Sequence, residues 1–124
     1  MNGLHLIADL YQCSCDSDIL SDRDTLRDIC VKECQDAGLT TVGDFFFQFE
    51  TDGEKAGVTG AVVLAESHLA IHTWPEDSGV TLDIYVCNLS RDNSDSARRV
   101  FTRILEKLKA KENVSHAVVR GHVD

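Results

Sequence analysis

Residues 58–76, VTGAVVLAESHLAIHTWPE, decide the fold of this chain. Two runs rich in apolar residues, 58–65 and 68–74, have the length and composition of β-strands. Only the Glu66-Ser67 step separates them, and Pro75 opens a polar turn after the second. The segment therefore predicts two neighbouring strands joined by a very short connection.

The same segment carries polar side chains where a buried strand would have more Val or Ile. Glu66, Ser67, His68 and His72 interrupt the apolar pattern, and the only tryptophan and only proline of the chain follow them. Departures from the local rule are expected at functional sites, because a site keeps residues that folding alone would not select. The segment is therefore a candidate reactive site.

Outward from this segment, four further stretches read as strands from their Val, Ile, Leu, Thr and Phe content: 3–11, 39–50, 80–87 and 114–120. The residues between 13 and 21 read as a polar turn. A glycine-bounded polar connection is expected at 51–57.

Two helices are predicted from apolar positions that recur on one face. The first has Ser21 as N-cap and stops at Gly38. The second opens at Asn93 or Ser94. Its apolar stripe comprises Ala97, Val100, Phe101, Ile104, Leu105 and Leu108.

The order β-α-β-β-β-β-α-β predicts an α+β fold, a two-layer sandwich whose mostly antiparallel sheet carries two helices on one face. A length of 124 residues allows one domain with a real core. Two helices can cover only one face of such a sheet, so the other face must be solvated or shielded by a partner.

The charge balance bears on partners and location. Asp and Glu outnumber Lys and Arg by 21 to 12, for a net charge of -9, which makes a nucleic-acid partner a poor fit because such binding depends on cations that neutralise phosphates. No apolar run approaches the roughly 20 residues that span a bilayer, and the first residues lack the basic start of a signal peptide. We expect a cytoplasmic protein with no membrane or nucleic-acid partner.

The five cysteines, Cys13, Cys15, Cys30, Cys34 and Cys87, are an odd number without an export signal, which favours reduced thiols over a disulfide framework. A zinc site built from the first four is the alternative. Their spacing fits no common zinc pattern, so small buried hydrophobes are the better interpretation and no metal is expected.

Residues 65–76, AESHLAIHTWPE, together with LHLIADLYQC at 4–13 and LDIYVC at 82–87, resemble the prokaryotic pyruvoyl-dependent S-adenosylmethionine decarboxylase proenzymes. The resemblance covers nearly the whole chain and is most specific at 65–76. It implies self-cleavage between Glu66 and Ser67 into a β chain, 1–66, and an α chain, 67–124. It further implies that Ser67 becomes a covalent pyruvoyl group, the only cofactor expected.

Elementary chemistry accounts for such a cleavage. The Ser67 hydroxyl can attack the Glu66 carbonyl, a step that needs a strained backbone and stabilisation of an oxyanion. Removal of the serine Cα proton then expels the Glu66 carboxylate, and water converts the dehydroalanine into a pyruvoyl group and ammonia. That group can form a Schiff base with a substrate amine and accept electrons as carbon dioxide leaves.

The resemblance assigns further roles. His72 matches the histidine used in self-processing, and Thr59 stands where many members have a serine that helps processing. Cys87 matches the presumed proton donor to the decarboxylated carbon. Taken singly, these would be ordinary core or surface residues, but their joint occurrence with Ser67 at matching spacing favours the functional interpretation.

Substrate-binding positions also follow from the resemblance. Phe49 matches an aromatic ring that stacks on adenine, and Glu76 an acid that binds the ribose. Many members have a histidine and then a basic residue where this chain has Phe47-Gln48, and the segment after Phe49 is a few residues longer.

The resemblance thus implies decarboxylation of S-adenosylmethionine to the aminopropyl donor of spermidine biosynthesis. It also implies a homodimer of processed protomers with active sites built from both. Two alternatives remain. One is a pyruvoyl enzyme acting on ornithine or arginine, motivated by Phe47-Gln48; the other is an unprocessed regulatory homologue.

Overall fold

The computed structural model describes residues 2–121 and contains a six-stranded sheet with helices against one face. The elements in chain order are β1 (Asn2–Cys13), α1 (Ser17–Ser21), α2 (Arg23–Asp36), β2 (Thr41–Thr51), β3 (Glu54–Leu64), β4 (Ser67–Trp74), a 3₁₀ turn (Pro75–Asp77), β5 (Gly79–Cys87), α3 (Ser94–Leu108) and β6 (Ala110–Gly121).

The strands lie in the order β2-β3-β4-β5-β1-β6, and each neighbouring pair is antiparallel. The predicted α+β sandwich is confirmed. Strand β1 enters between β5 and β6, so the first and last parts of the chain close one side of the sheet, while the 58–76 segment supplies its middle.

Strict alternation builds the core. In β5, Val80, Leu82, Ile84 and Val86 are buried, while the residues between them are only half-buried. Helices α2 and α3 pack on this buried side. They contribute Leu26, Cys30, Cys34, Ala97, Val100, Ile104 and Leu108. Each fully buried Leu, Ile or Val side chain stabilises the fold by roughly 1.5–3 kcal/mol.

One glycine is required by close packing within the sheet. A Cβ at Gly60 of β3 would lie 2.1 Å from the ring of Phe46, which crosses over it from β2. Such an approach leaves no room for any side chain, so Gly60 lets the edge strand bury its one inward-facing aromatic ring.

Two expectations about the first helical region were wrong. Residues 17–21 form the short helix α1 rather than a turn, and Asp22, not Ser21, caps α2. The Asp22 carboxylate accepts the backbone N–H of Thr25 at 3.0 Å. Ser21 is unavailable as a cap because its hydroxyl donates to the carbonyl of Ser17 at 2.8 Å. A five-residue helix is too short to show a periodic apolar face.

The connection expected at 51–57 is instead a tight hairpin. Asp52 and Gly53 have φ of 53° and 79°, the left-handed pair of a two-residue turn that matches the twist of paired strands. Strand β3 therefore begins at Glu54, four residues earlier than predicted, and β2 ends at Thr51, one residue later than predicted. Strand β6 is likewise longer than the expected 114–120.

Opposite the helices lies a sheet face that no helix or strand within residues 2–121 covers; it is called here the open face. By strand alternation it presents the partly exposed apolar residues Ile7, Phe45, Phe47, Phe49, Val63, Val114 and Val118. They form two groups, one on β2 and β3 and one on β1 and β6, with β4 and β5 between them. Exposed apolar groups of this kind are typical of a contact surface. Within residues 2–121, no helix is long and apolar enough to cross a membrane.

Candidate active site

The predicted cleavage step lies in the turn between β3 and β4. Leu64 pairs with Ser67, which leaves Ala65 and Glu66 as the two turn residues. Glu66 has φ of 64°, a left-handed backbone conformation that costs a non-glycine residue on the order of 1–3 kcal/mol. The N–H of Ala65 donates to the carbonyl of Thr40 at 2.9 Å and fixes the turn. Strain therefore sits at the residue whose carbonyl Ser67 would attack.

Ser67 lies against the end of the neighbouring strand. Its hydroxyl oxygen accepts the backbone N–H of Cys87 at 3.2 Å, although twenty positions separate them along the chain. The Cys87 carbonyl in turn accepts from the side-chain amide of Asn93 at 3.0 Å. Antiparallel pairing of β4 with β5 brings the start of one strand to the end of the other. Glu66, Ser67 and Cys87 together are called the cleavage end.

A cleft of about 660 Å³ opens at the other end of β4. It is bounded by the β2-β3 hairpin and by the turn after β4. Four predicted site residues line it: Phe49, Thr59, His72 and Glu76. We call this the binding cleft.

Contacts within the binding cleft orient its polar and aromatic groups. Nδ1 of His72 lies 3.2 Å from the hydroxyl of Thr59, its cross-strand neighbour. The ring of Trp74 lies 6.3 Å from that of His72, tilted by 37°. Aromatic rings beside the Glu76 carboxylate form a surface suited to an organic cation.

The structure places His72 far from Ser67 of the same chain. Ser67 is the first residue of β4 and His72 lies near its other end, so the rise of an extended strand separates them by roughly 16 Å. The predicted site residues thus form two groups, the cleavage end and the binding cleft.

The two positions that depart from the family pattern point in different directions. Phe47 lies on the open face, its ring 5.0 Å from that of Phe49 at 69°. Gln48 faces the helices: its side-chain amide donates to the carbonyl of Ser21 at 2.7 Å, and its oxygen accepts the N–H of Arg23 at 2.8 Å. Gln48 therefore ties β2 to the α1–α2 junction and does not line the binding cleft.

Sequence reasoning missed one polar cluster on the open face. A single oxygen, Oδ1 of Asp83, lies 2.9 Å from Nε2 of His5 and 2.9 Å from Nε2 of His68. Among residues 2–121 these three form the only set of histidine, cysteine or carboxylate ligand atoms that converge. His5 and Asp83 showed only as polar positions in alternating strands, and the strand order that unites them was not known.

The cysteines other than Cys87 are mainly core residues. Cys13, Cys30 and Cys34 are buried, and Cys15 is half-buried. Burial raises the pKa of the Cys13 thiol to about 11 and of the Cys34 thiol to about 12, so both remain protonated at neutral pH. Their packing fits the predicted role of small buried hydrophobes.

Comparisons with known proteins agree with this geometry. A family model described as S-adenosylmethionine decarboxylase matches residues 4–121. A protein of Picrophilus torridus named S-adenosylmethionine decarboxylase proenzyme is 40% identical over 107 residues, covering 86% of this chain and 75% of the relative. One of the same name from Archaeoglobus fulgidus is 35% identical, covering 96% and 97%.

A solved structure agrees as well. The crystal structure of the adenosylmethionine decarboxylase from Aquifex aeolicus superimposes with a TM-score of 0.84 at 33% identity, covering 98% of this chain and 92% of that one. The matches extend over the cleavage end, the binding cleft and the whole sheet that joins them. The chain therefore belongs to the S-adenosylmethionine decarboxylase family.

Proposed function

We propose that this chain is a pyruvoyl-dependent S-adenosylmethionine decarboxylase that matures by cleavage between Glu66 and Ser67. The observation that carries the proposal is the placement of the Ser67 hydroxyl directly after the strained Glu66 and against the N–H of Cys87. Maturation would yield a β chain, 1–66, and an α chain, 67–124, that stay together because β3 and β4 remain paired.

The residues around position 67 fit a pyruvoyl group. The N–H of Cys87 already points at the side chain of residue 67, so an acceptor oxygen formed there has a hydrogen-bond donor beside it. When present, the group supplies an electron sink for decarboxylation. Cys87 would then return a proton to the substrate carbon.

The binding cleft supports S-adenosylmethionine as the substrate. Phe49 offers a ring face to adenine, Glu76 offers carboxylate oxygens to ribose hydroxyls, and Trp74 offers a ring to the sulfonium cation. Ornithine and arginine have neither a nucleobase nor a sulfonium, and the relatives reported above carry the S-adenosylmethionine name. Because Gln48 lies outside the cleft, Phe47 is the only residue of the Phe47-Gln48 pair that still argues for another substrate.

A homodimer would complete the site. His72 cannot reach Ser67 in its own chain, but two copies packed through their open faces about a two-fold axis can bring the cleavage end of one chain to the binding cleft of the other. Such an interface is self-complementary, so one contact surface yields two equivalent sites. The exposed apolar residues of the open face supply the buried area. We place this dimer in the cytoplasm, making the aminopropyl donor for spermidine biosynthesis.

The first test is the denatured mass of the purified protein. Two chains divided between Glu66 and Ser67, the second lacking a free amino terminus, are the expected result. A single intact chain that persists on incubation would remove the electron sink, and the unprocessed regulatory homologue would take its place.

The second test measures carbon dioxide release from S-adenosylmethionine, ornithine and arginine in parallel. Turnover of S-adenosylmethionine alone is expected, and Ser67→Ala serves as the inactive control. Turnover of ornithine or arginine instead would support the proposed cleavage but contradict S-adenosylmethionine as the substrate.

The third test asks whether two chains share a site. Ser67→Ala and His72→Ala chains, expressed separately, should remain uncleaved. When they are co-expressed, a heterodimer has one site with an intact Ser67 and an intact His72, so part of the His72→Ala chain should be cleaved. Absence of cleavage in a purified heterodimer would contradict a shared site.

A further inference from the structure

A hydrogen-bonded network lies directly after the cleavage step on the open face. His68 follows Ser67, and its Nε2 lies 2.9 Å from Oδ1 of Asp83. The same oxygen lies 2.9 Å from Nε2 of His5, and the two imidazole rings meet edge to face at 5.8 Å. These side chains join β4, β5 and β1 and are called the His5–Asp83–His68 network.

The partners of each atom assign the protons. Because the Asp83 carboxylate only accepts, both histidines donate from Nε2. Nδ1 of His5 is then free to accept, and the guanidinium of Arg120 lies 3.5 Å from it, above the ring of Tyr85 at 5.0 Å. Three hydrogen bonds therefore hold the network together and tie it to Arg120.

A metal ion would upset this arrangement. Coordination through Nε2 would move the His5 proton to Nδ1, where it would face a guanidinium that only donates. A divalent cation would also sit close to the Arg120 charge. The geometry therefore favours hydrogen bonding over coordination.

Cleavage turns residue 67 into a chain end, which the network could hold in place. In the uncleaved chain, Ser67 is tethered on both sides. After cleavage it is the first residue of a new chain, and such ends fray unless side chains or backbone pairing hold them. His68 is the first intact side chain beyond the break, and Asp83 lies in the strand that ends at Cys87. The network thus joins the new chain end to the strand of the proton donor.

We propose that Asp83, acting through His68, is a positioning residue that holds position 67 beside Cys87 after cleavage, and that His5 fixes the Asp83 carboxylate from the opposite side. This rests on the proposed function, since it concerns the cleaved enzyme. It gives His5, His68 and Asp83 a role in turnover, although they belong neither to the cleavage end nor to the binding cleft.

Asp83→Ala and Asp83→Asn test the proposal, with Asp28→Asn as the matched control, because Asp28 is an exposed carboxylate of α2 on the side of the sheet opposite the open face. In fully cleaved and folded Asp83→Ala, kcat should fall by about tenfold to a hundredfold, because small displacements of reacting groups are costly. KM should change less than about threefold, since none of the three network residues lines the binding cleft that holds the adenine and ribose. Asp83→Asn, whose amide oxygen still accepts, should recover most of the kcat, and Asp28→Asn should match the wild type.

The possible failures are distinguishable. A wild type that is not cleaved, or does not turn over S-adenosylmethionine, refutes the proposed function and this inference with it. An active wild type with an equally active Asp83→Ala refutes only the positioning role, as does a loss that scales with the unfolded fraction in thermal melts. Loss of wild-type activity on chelation, restored by zinc, would replace positioning by metal coordination.

Discussion

The hydroxyl of Ser67 accepts its hydrogen bond from the main chain of Cys87, not from the thiol. The two proposed duties of this pair, cleavage and proton return, therefore use different atoms of Cys87. A substitution that removes the sulfur keeps the N–H and should separate the two duties.

Cys87→Ala should still be cleaved, because the backbone donor to Ser67 survives, while kcat for decarboxylation falls by roughly 10²–10⁴ with the loss of a proton donor. Denatured mass measures the first effect and carbon dioxide release the second. Ser67→Ala should lose both. Failure of Cys87→Ala to be cleaved would mean that the thiol itself takes part in processing.

The contact between Thr59 and His72 predicts a hydroxyl-dependent processing rate. Thr59→Val keeps the shape of the side chain but leaves Nδ1 of His72 without its 3.2 Å partner. We expect cleavage to slow by about tenfold or more, followed as the intact fraction over time after denaturation and refolding. Thr59→Ser should be cleaved at the wild-type rate or faster, because serine is less restricted at χ1. Equal rates for the valine and serine variants would exclude a role for the hydroxyl.

Acid stability should depend on the cap of α2. The Lys55 ammonium, together with hydrogen bonds from Thr25, lowers the pKa of the Asp22 carboxyl from 3.8 to about 2. A lowered folded-state pKa means that the charged carboxylate favours the fold. Its contribution is complete above about pH 4 and is lost as the pH falls through about 2.

Replacing Asp22 should lower the stability at neutral pH but have little effect in acid. Asp22→Ala should lower the free energy of unfolding at pH 7 by about 1 kcal/mol through loss of the cap, whereas Asp22→Asn, which can still accept from Thr25, should lose less. Urea unfolding at pH 7 and near pH 2 measures both. The difference between the wild type and Asp22→Asn should shrink toward zero at the lower pH; a difference that persists there would show that the charge is not its source.

Elements with a clear pattern among neighbouring residues could be predicted from the sequence, whereas elements without such a pattern could not. Alternation in 80–87 and the apolar stripe of α3 are local patterns, so the strand and helix were found. Helix α1 is too short to carry a period, and the Asp52-Gly53 turn signal lay inside a stretch read as a loop.

In the candidate site, too, the relationships between adjacent residues could be predicted, and those between distant residues could not. Residues 65–76 allowed cleavage between Glu66 and Ser67 to be predicted, because the two residues that flank the bond are adjacent in the sequence. The distance from Ser67 to His72 follows only once 67–74 is accepted as one unbroken strand. The pairing of His5 and His68 on Asp83 needs β5 to lie between β4 and β1, a sheet order that no short motif encodes.

The last prediction concerns the aromatic pair on the open face. Phe49 lines the binding cleft, whereas Phe47 supports it from the side at 5.0 Å. Phe49→Ala should raise KM for S-adenosylmethionine by about tenfold, the loss of one aromatic contact of roughly 1.4 kcal/mol. Phe47→His keeps a flat ring at the same place and should change KM by less than about threefold. Steady-state kinetics on fully cleaved protein measure both. A larger effect from Phe47→His than from Phe49→Ala would mean that Phe47 itself contacts the substrate and sets the specificity of this chain.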